Sequence, residues 1–233
     1  MCGRYTLATP DPADIRARFP VGEGVEIRRR FNVAPGDEVL AVTTDREGSP
    51  RGERLRWGLV PSWTDVPNGR LKMINARVET VAERPAFRTA FERFRCLIIA
   101  DGFYEWQTPA HGQPGGKQAF HITRSDGEPF AFAGLWSIWR GDHVKLRSCA
   151  ILTTAANAAV APLHDRMPVI LGLDAEHAWL DPSTPRAPLL EMLAPLPPAL
   201  TALRPVGPSV NDARYDGPEC LAPVGASTQP TLF

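Results

Sequence analysis

Proline is the feature that most limits this chain. Twenty-four prolines and 19 glycines are spread through 233 residues. An interior proline removes a backbone donor and clashes with the preceding helical turn, so the long helices of a bundle have no room. Between the breakers lie short apolar or alternating runs of strand length. With 43% hydrophobic and 22% charged residues, the chain is globular and long enough for one large domain or two small ones.

The runs predict strands at Gly3–Leu7, Val39–Thr44, Arg54–Trp57, Cys96–Ala100, Tyr104–Gln107, Ala119–Arg124, Phe130–Trp139, Leu146–Thr154 and Val169–Leu171. Helices are expected at Pro12–Arg18 behind an Asp11 cap, near Pro85–Arg93, from an Asp174 cap to Leu180, and at Ala187–Leu193. Phe31–Gly36 and Trp57–Trp63 read as rigid loops. Many strands with few intervening helices argue against a doubly wound parallel sheet. The expectation is one α+β domain around a curved, largely antiparallel sheet or open barrel with short flanking helices. It spans residues 1–221, and 222–233 form a flexible tail.

Twenty-six basic residues balance 26 acidic ones, so net charge alone does not point to nucleic acid. Residues 1–100 carry 17 Lys/Arg and 13 Asp/Glu, which places a modest basic surplus in the first half. No signal-peptide pattern or long apolar run is visible, so a cytoplasmic protein with no membrane partner is expected. The cysteines, Cys2, Cys96, Cys149 and Cys220, form no C-x-x-C pair, and neither a metal nor a cofactor is expected. Cys96 and Cys149 sit in apolar runs and read as core thiols.

Cys2 is different. The chain begins Met1-Cys2-Gly3, and an initiator methionine before a small residue is normally removed. The new terminus would carry an amine with a pKa of about 8 beside a thiol of about 8.5. Such an aminothiol adds to an aldehyde as an imine. The thiol then closes a five-membered thiazolidine in an intramolecular step. The same residue can also attack a carboxamide, assisted by its own amine.

Other segments carry polar groups in usable patterns. Asn75, Arg77 and Glu79 alternate and would share one strand face; the arrangement suits phosphate gripping or a solvated face. Glu105 stands between aromatics in Asp101–Trp106, where desolvation would raise its pKa toward the proton-transfer range. In Pro162–Pro168, His164 and Arg166 project to one side of a stiff loop, as an acid/base and a phosphate contact or as structural residues. The other four histidines have no assigned role. Loop-tip aromatics can stack on unpaired bases or pack in the core.

In series, MCGRYTL, FNVAPG, WGLVPSW, INARVET, DGFYEW and PLHDRMPV resemble the SOS-response-associated peptidase (SRAP) family of abasic-site processing proteins, over nearly the whole chain. The resemblance implies binding of single-stranded DNA and a thiazolidine crosslink between Cys2 and the ring-opened sugar of an abasic site, without an obligate protein partner. It implies that Asn75, Glu105 and His164 line the pocket and that Arg4, Arg77 and Arg166 contact phosphates. The loops around Pro35 and Trp63 would meet flanking bases. Some relatives carry a second aromatic after the position of Trp63. Here it is Thr64, which implies a smaller stacking platform.

Three rivals share parts of this pattern. Glutamine amidotransferase-type hydrolases also begin Met-Cys-Gly and use an N-terminal nucleophile, but the arginines have no task there. An autopeptidase would fit the family's name. A non-catalytic single-strand binder would not need Cys2.

Overall fold

The computed structural model describes residues 2–8, 11–65, 73–109, 116–141 and 143–225. In chain order these form β1 (Tyr5–Leu7), α1 (Pro12–Arg18), β2 (Arg30–Val33), β3 (Glu38–Thr44), β4 (Pro50–Trp57), β5 (Asn75–Arg77), α2 (Arg88–Arg93), β6 (Arg95–Ala100), β7 (Gly102–Gln107) and β8 (Gln118–Arg124). They continue with β9 (Phe130–Arg140), β10 (Lys145–Ala155), β11 (Arg166–Pro168), α3 (Leu173–Leu180), α4 (Arg186–Glu191) and β12 (Thr201–Pro205).

An antiparallel sheet runs β12-β8-β7-β1-β2. The other sheet closes on itself as a five-stranded barrel, β4-β3-β6-β9-β10. Closure depends on the length of β10. Its residues Lys145–Ile151 pair with β9, while Ser148 and Cys149 also run parallel to Arg56 and Trp57 of β4. Farther along, Ile151–Thr153 take β5 in parallel and Thr153–Ala155 take β11. The expected α+β domain is observed, and the barrel is closed by a parallel contact that no local pattern could signal.

Alternation along the barrel strands sorts side chains onto two faces. Leu40, Val42, Leu97, Ile99, Ala133 and Leu152 pack with Ile15, Phe91 and Trp179 from the helices. Val39, Ala41, Ile98, Phe132 and Ile151 pack with Trp57 and with Tyr5, Val33 and Phe103 of the first sheet. Tyr5 meets Trp57 and Phe132 edge-on, at 5.4 and 5.6 Å between centroids. Burial of each large apolar side chain contributes about 1.5–3 kcal/mol. Cys96 and Cys149 lie in the second cluster as core thiols.

Short elements are tied by specific bonds. Asp11 accepts the Ala13 amide at 2.8 Å and caps α1, with Pro12 next in line. Buried Arg95 donates to Phe91 O, Glu92 O, Trp179 O and Asp181 O, so one guanidinium caps the ends of α2 and α3. Gly102 lets β7 pass β8, because a Cβ there would lie 2.1 Å from His121 Nε2.

Several expectations shift. Phe31–Val33 belong to strand β2 instead of a loop, because β1 supplies a partner and Asp216 binds the Phe31 and Asn32 amides. The helix expected near Pro85–Arg93 begins at Arg88. The strand expected at Val169–Leu171 lies at Arg166–Pro168, and Ile170 makes only an isolated bridge to Phe132. Gly172 occupies the cap position of α3, with Asp174 in its first turn. At the far end, Ala222 O accepts Gly207 N at 2.9 Å and Pro223 bridges Val206; the tail residues 226–233, Met1 and His111 lie outside the described residues.

Candidate active site

Cys2 is placed by the antiparallel pairing of β1 with β7. The register Tyr5↔Phe103 and Thr6↔Gly102 continues through a bond from Tyr104 N to Arg4 O at 3.0 Å. One step further sets Glu105 opposite Gly3. Strand alternation sends Glu105 to the same side as Phe103, toward the cluster that contains Cys2. Glu105 is only 4% exposed. Burial pushes the Cys2 thiol well above its ordinary pKa, and the Glu105 charge adds to that rise. Burial likewise raises the Glu105 carboxyl to about 7, with the nearby Asp165 charge acting in the same direction.

Asn75 enters from the barrel. It opens β5, where it sits beside Ile151. The preceding carbonyl, Ile74 O, accepts both Trp57 Nε1 at 2.9 Å and Ile151 N at 3.0 Å. With its backbone pinned, Asn75 donates from Nδ2 to Cys2 O at 2.8 Å. Its Oδ1 is buried with no hydrogen-bond partner among the described residues. A buried acceptor left open is unusual and suits a ligand that brings a donor.

His164 comes from the turn after β10. Asn157 builds that turn, its Oδ1 accepting Ala159 N at 3.0 Å and Val160 N at 2.9 Å, and His164 N donates to Val160 O. The imidazole Nδ1 accepts Arg166 N at 2.9 Å and lies 2.8 Å from Asp165 Oδ1. The first contact needs a lone pair on Nδ1 and the second a proton. Burial lowers the ring's pKa, which favours the neutral ring with its proton on Nε2. Asp165 is 85% exposed. The structure thus brings Cys2, Asn75 and Glu105 together, and the His164–Asp165 loop reaches them through the action of Asp165 on Glu105. Among the described residues, no group of three His, Cys, Asp or Glu is placed to hold a metal ion.

The chain is similar to known proteins over most of its length. The family model for SOS response associated peptidase (SRAP) matches residues 1–213. The chain belongs to the SRAP family. It is 40% identical to abasic site processing protein YoaM of Bacillus subtilis, covering 83% of this chain and 85% of the relative. It is 33% identical to abasic site processing protein YedK of Escherichia coli, covering 77% and 79%. In fold it is similar to the crystal structure of a Bacteroides thetaiotaomicron protein, with a TM-score of 0.81, 20% identity and coverage of 95% and 99%.

The five residues that the SRAP resemblance gave to DNA fall into two groups. Arg77, Pro35 and Trp63 are exposed. Arg77 ends β5, two residues from Asn75. Arg4 and Arg166 already have partners within the chain. Arg4 donates to Asn32 Oδ1 at 3.0 Å and Val210 O at 2.9 Å. Arg166 grips Glu79 through both terminal nitrogens and also donates to Thr153 O. Glu79 lies beyond the end of β5, so it does not extend the strand face of Asn75 and Arg77.

Sequence reading missed Asn32. It is buried, accepts Arg4, and donates to Asp212 O and Tyr215 O. Only the surrounding FNVAPG motif marked it, because its partners come from the far end of the chain. Asn157 was missed as well; beside its local bonds to Ala159 N and Val160 N, its Nδ2 donates to Leu196 O and Thr201 Oγ1.

Proposed function

We propose that this protein captures abasic sites in single-stranded DNA. With Met1 removed, the aminothiol of Cys2 forms a thiazolidine with the ring-opened sugar and shields the site from strand cleavage. The observation that carries the reading is the bond from Asn75 Nδ2 to Cys2 O, made beside a buried Glu105 whose pKa stands near 7. The names of the relatives YoaM and YedK, abasic site processing proteins, support the substrate class.

An abasic sugar is mainly a closed hemiacetal. Neutral His164 moves a proton at the ring oxygen and releases the aldehyde. Glu105, with a pKa about one unit below that of an α-ammonium group, accepts a proton from the Cys2 ammonium. The amine attacks C1′, water leaves, and an imine forms. Sγ then adds to the imine carbon, its proton passes to nitrogen, and the ring closes. Asn75 holds the Cys2 carbonyl and so sets the direction of the amine. An imine that waits for sulfur can instead lose the 3′ phosphate by β-elimination, so fast ring closure also suppresses lyase activity. Arg77, Pro35 and Trp63 form the exposed contacts to the strand. Arg4 and Arg166 contribute by holding the walls through their bonds within the chain.

The direct test is a denaturing gel of the protein with abasic single strands. A heat-stable adduct is expected, absent after methoxyamine blocks the aldehyde and absent in Cys2→Ala. An adduct that survives Cys2→Ala would sink the proposal.

A further inference from the structure

Behind the Cys2 site, on the opposite face of its sheet, runs a chain of side-chain bonds that the mechanism does not use. Thr6 Oγ1 donates to Asp101 Oδ1, and His121 Nε2 lies 3.0 Å from Thr6 Oγ1. All three residues are buried. We propose that this Asp101–Thr6–His121 chain is a positioning device that pins the register of β1 and so sets where Cys2 stands against Glu105. The inference rests on the reading of Cys2 as the nucleophile and adds what holds its strand in place.

Strand β1 specifies its own register poorly. It has three residues, all buried, so no alternation of apolar and polar faces selects one alignment. Tyr5 and Thr6 pair with Phe103 and Gly102 of β7. On the other side the register with β2 shifts between Tyr5 and Leu7, an irregularity that weakens a ladder locally. A slip of one residue would carry Cys2 about 3.3 Å along the strand and past Glu105, which stands opposite Gly3. Tyr5 packs in the apolar cluster that holds Cys2, and Thr6 points the other way. Thr6 therefore touches none of the reacting groups and acts through β1.

The chain grips β1 from both directions. Asp101 lies at the turn from β6 to β7. Its amide donates to Thr6 O at 2.9 Å, and its Oδ2 accepts Ala8 N at 2.9 Å. His121 comes from β8, where it pairs with Tyr104 at 5.0 Å between ring centroids. It reaches β1 by crossing β7 over Gly102, where a Cβ would lie 2.1 Å from Nε2. The ring thus ties β8 to β1 past the strand between them. Thr6 has one hydroxyl proton and Asp101 accepts it, so Nε2 must donate to Thr6. Burial lowers the His121 pKa to about 4, with the Arg204 charge acting in the same direction and Asp101 against it. The ring is then neutral at pH 7 with its proton on Nε2. A slipped register would break both bonds inside the protein, where polar groups left unpaired are costly.

The test follows adduct formation on abasic single strands over a range of protein concentrations, which separates the maximal rate from the half-saturating concentration. Thr6→Val removes the hydroxyl and keeps the shape. It should lower the maximal rate about tenfold, as for loss of one buried hydrogen bond, and leave the half-saturating concentration unchanged. Thr6→Ser should restore the rate. If Thr6→Val lacks a cooperative melt, His121→Phe replaces it and removes only the second bond. A maximal rate equal to that of wild type in the folded variant, or a loss that Thr6→Ser does not restore, overturns the inference. Amide hydrogen exchange at Tyr104 is read in parallel. Its N–H donates to Arg4 O, the β1–β7 bond on the Cys2 side of Tyr5. Its protection should fall about tenfold in Thr6→Val and return in Thr6→Ser, because local opening of β1 becomes easier. Unchanged protection also overturns the inference. This readout needs no substrate. If wild type forms no adduct while the exchange pattern holds, capture fails and the register device survives; an adduct with unchanged exchange gives the reverse.

Discussion

Asn75, in β5, and Cys2, just ahead of β1, meet through a 2.8 Å bond between a side-chain amide and a backbone carbonyl. The bond fixes the residue that carries the nucleophile without using either of its reactive groups. Asn75→Ala should therefore slow adduct formation by about tenfold, the upper range for one hydrogen bond, with a small change in melting temperature. Single-turnover gel kinetics checks this, and an unchanged rate would remove Asn75 from the mechanism.

Glu105 should impose a pH limb. As its carboxyl sits near 7, the base form grows as pH rises through 7, and adduct formation should rise with it. Glu105→Gln should lose that limb and react more slowly above pH 7.

The same raised pKa predicts a stability effect of defined sign. The folded state holds the Glu105 proton more tightly than the unfolded chain, whose carboxyl titrates at about 4.3. The associated stability is fully present below that value and is lost as pH rises through about 7. Glu105→Gln should thus melt higher than wild type at pH 8, with the difference shrinking toward pH 5. Thermal melts at both pH values read this directly; a difference that grows toward pH 5 would refute it.

His164 acts at ring opening in the proposed mechanism, so its loss should depend on the substrate. His164→Ala should slow capture of an abasic strand by about 100-fold, the low end for acid–base catalysis. Capture of a small open-chain aldehyde should change far less. Equal losses on both substrates would assign His164 a structural role.

The two kinds of arginine should separate. Arg77→Ala, at an exposed position, should weaken all single strands alike and reduce the salt slope by about 0.7, with little effect on melting. Arg4→Ala leaves Asn32 Oδ1 short of a donor, while Val210 O keeps only Asn32 Nδ2. It should cost about 1–3 kcal/mol of stability and lower the melting temperature.

Much of this was legible in the chain. Period-two apolar runs marked the barrel strands, and Asp11-Pro12 marked the start of α1, because those signals are local. Cys2 stood out by its place after Met1, Asn75 in an alternating polar run, Glu105 between aromatics and His164 in a proline-stiffened loop. What escaped was set by distant partners. β2 needs β1 and Asp216, and barrel closure needs Ser148–Cys149 beside Arg56–Trp57. Arg166 read as a phosphate contact from its loop, yet Glu79 binds it. No spacing rule reveals a partner supplied by another strand.

Mass spectrometry of the purified adduct tests the central claim most directly. The predicted mass is that of the chain without Met1 plus the abasic oligonucleotide minus one water, with the modification mapped to the terminal Cys2 peptide. An adduct that retains Met1, or that maps to another residue, would contradict the account.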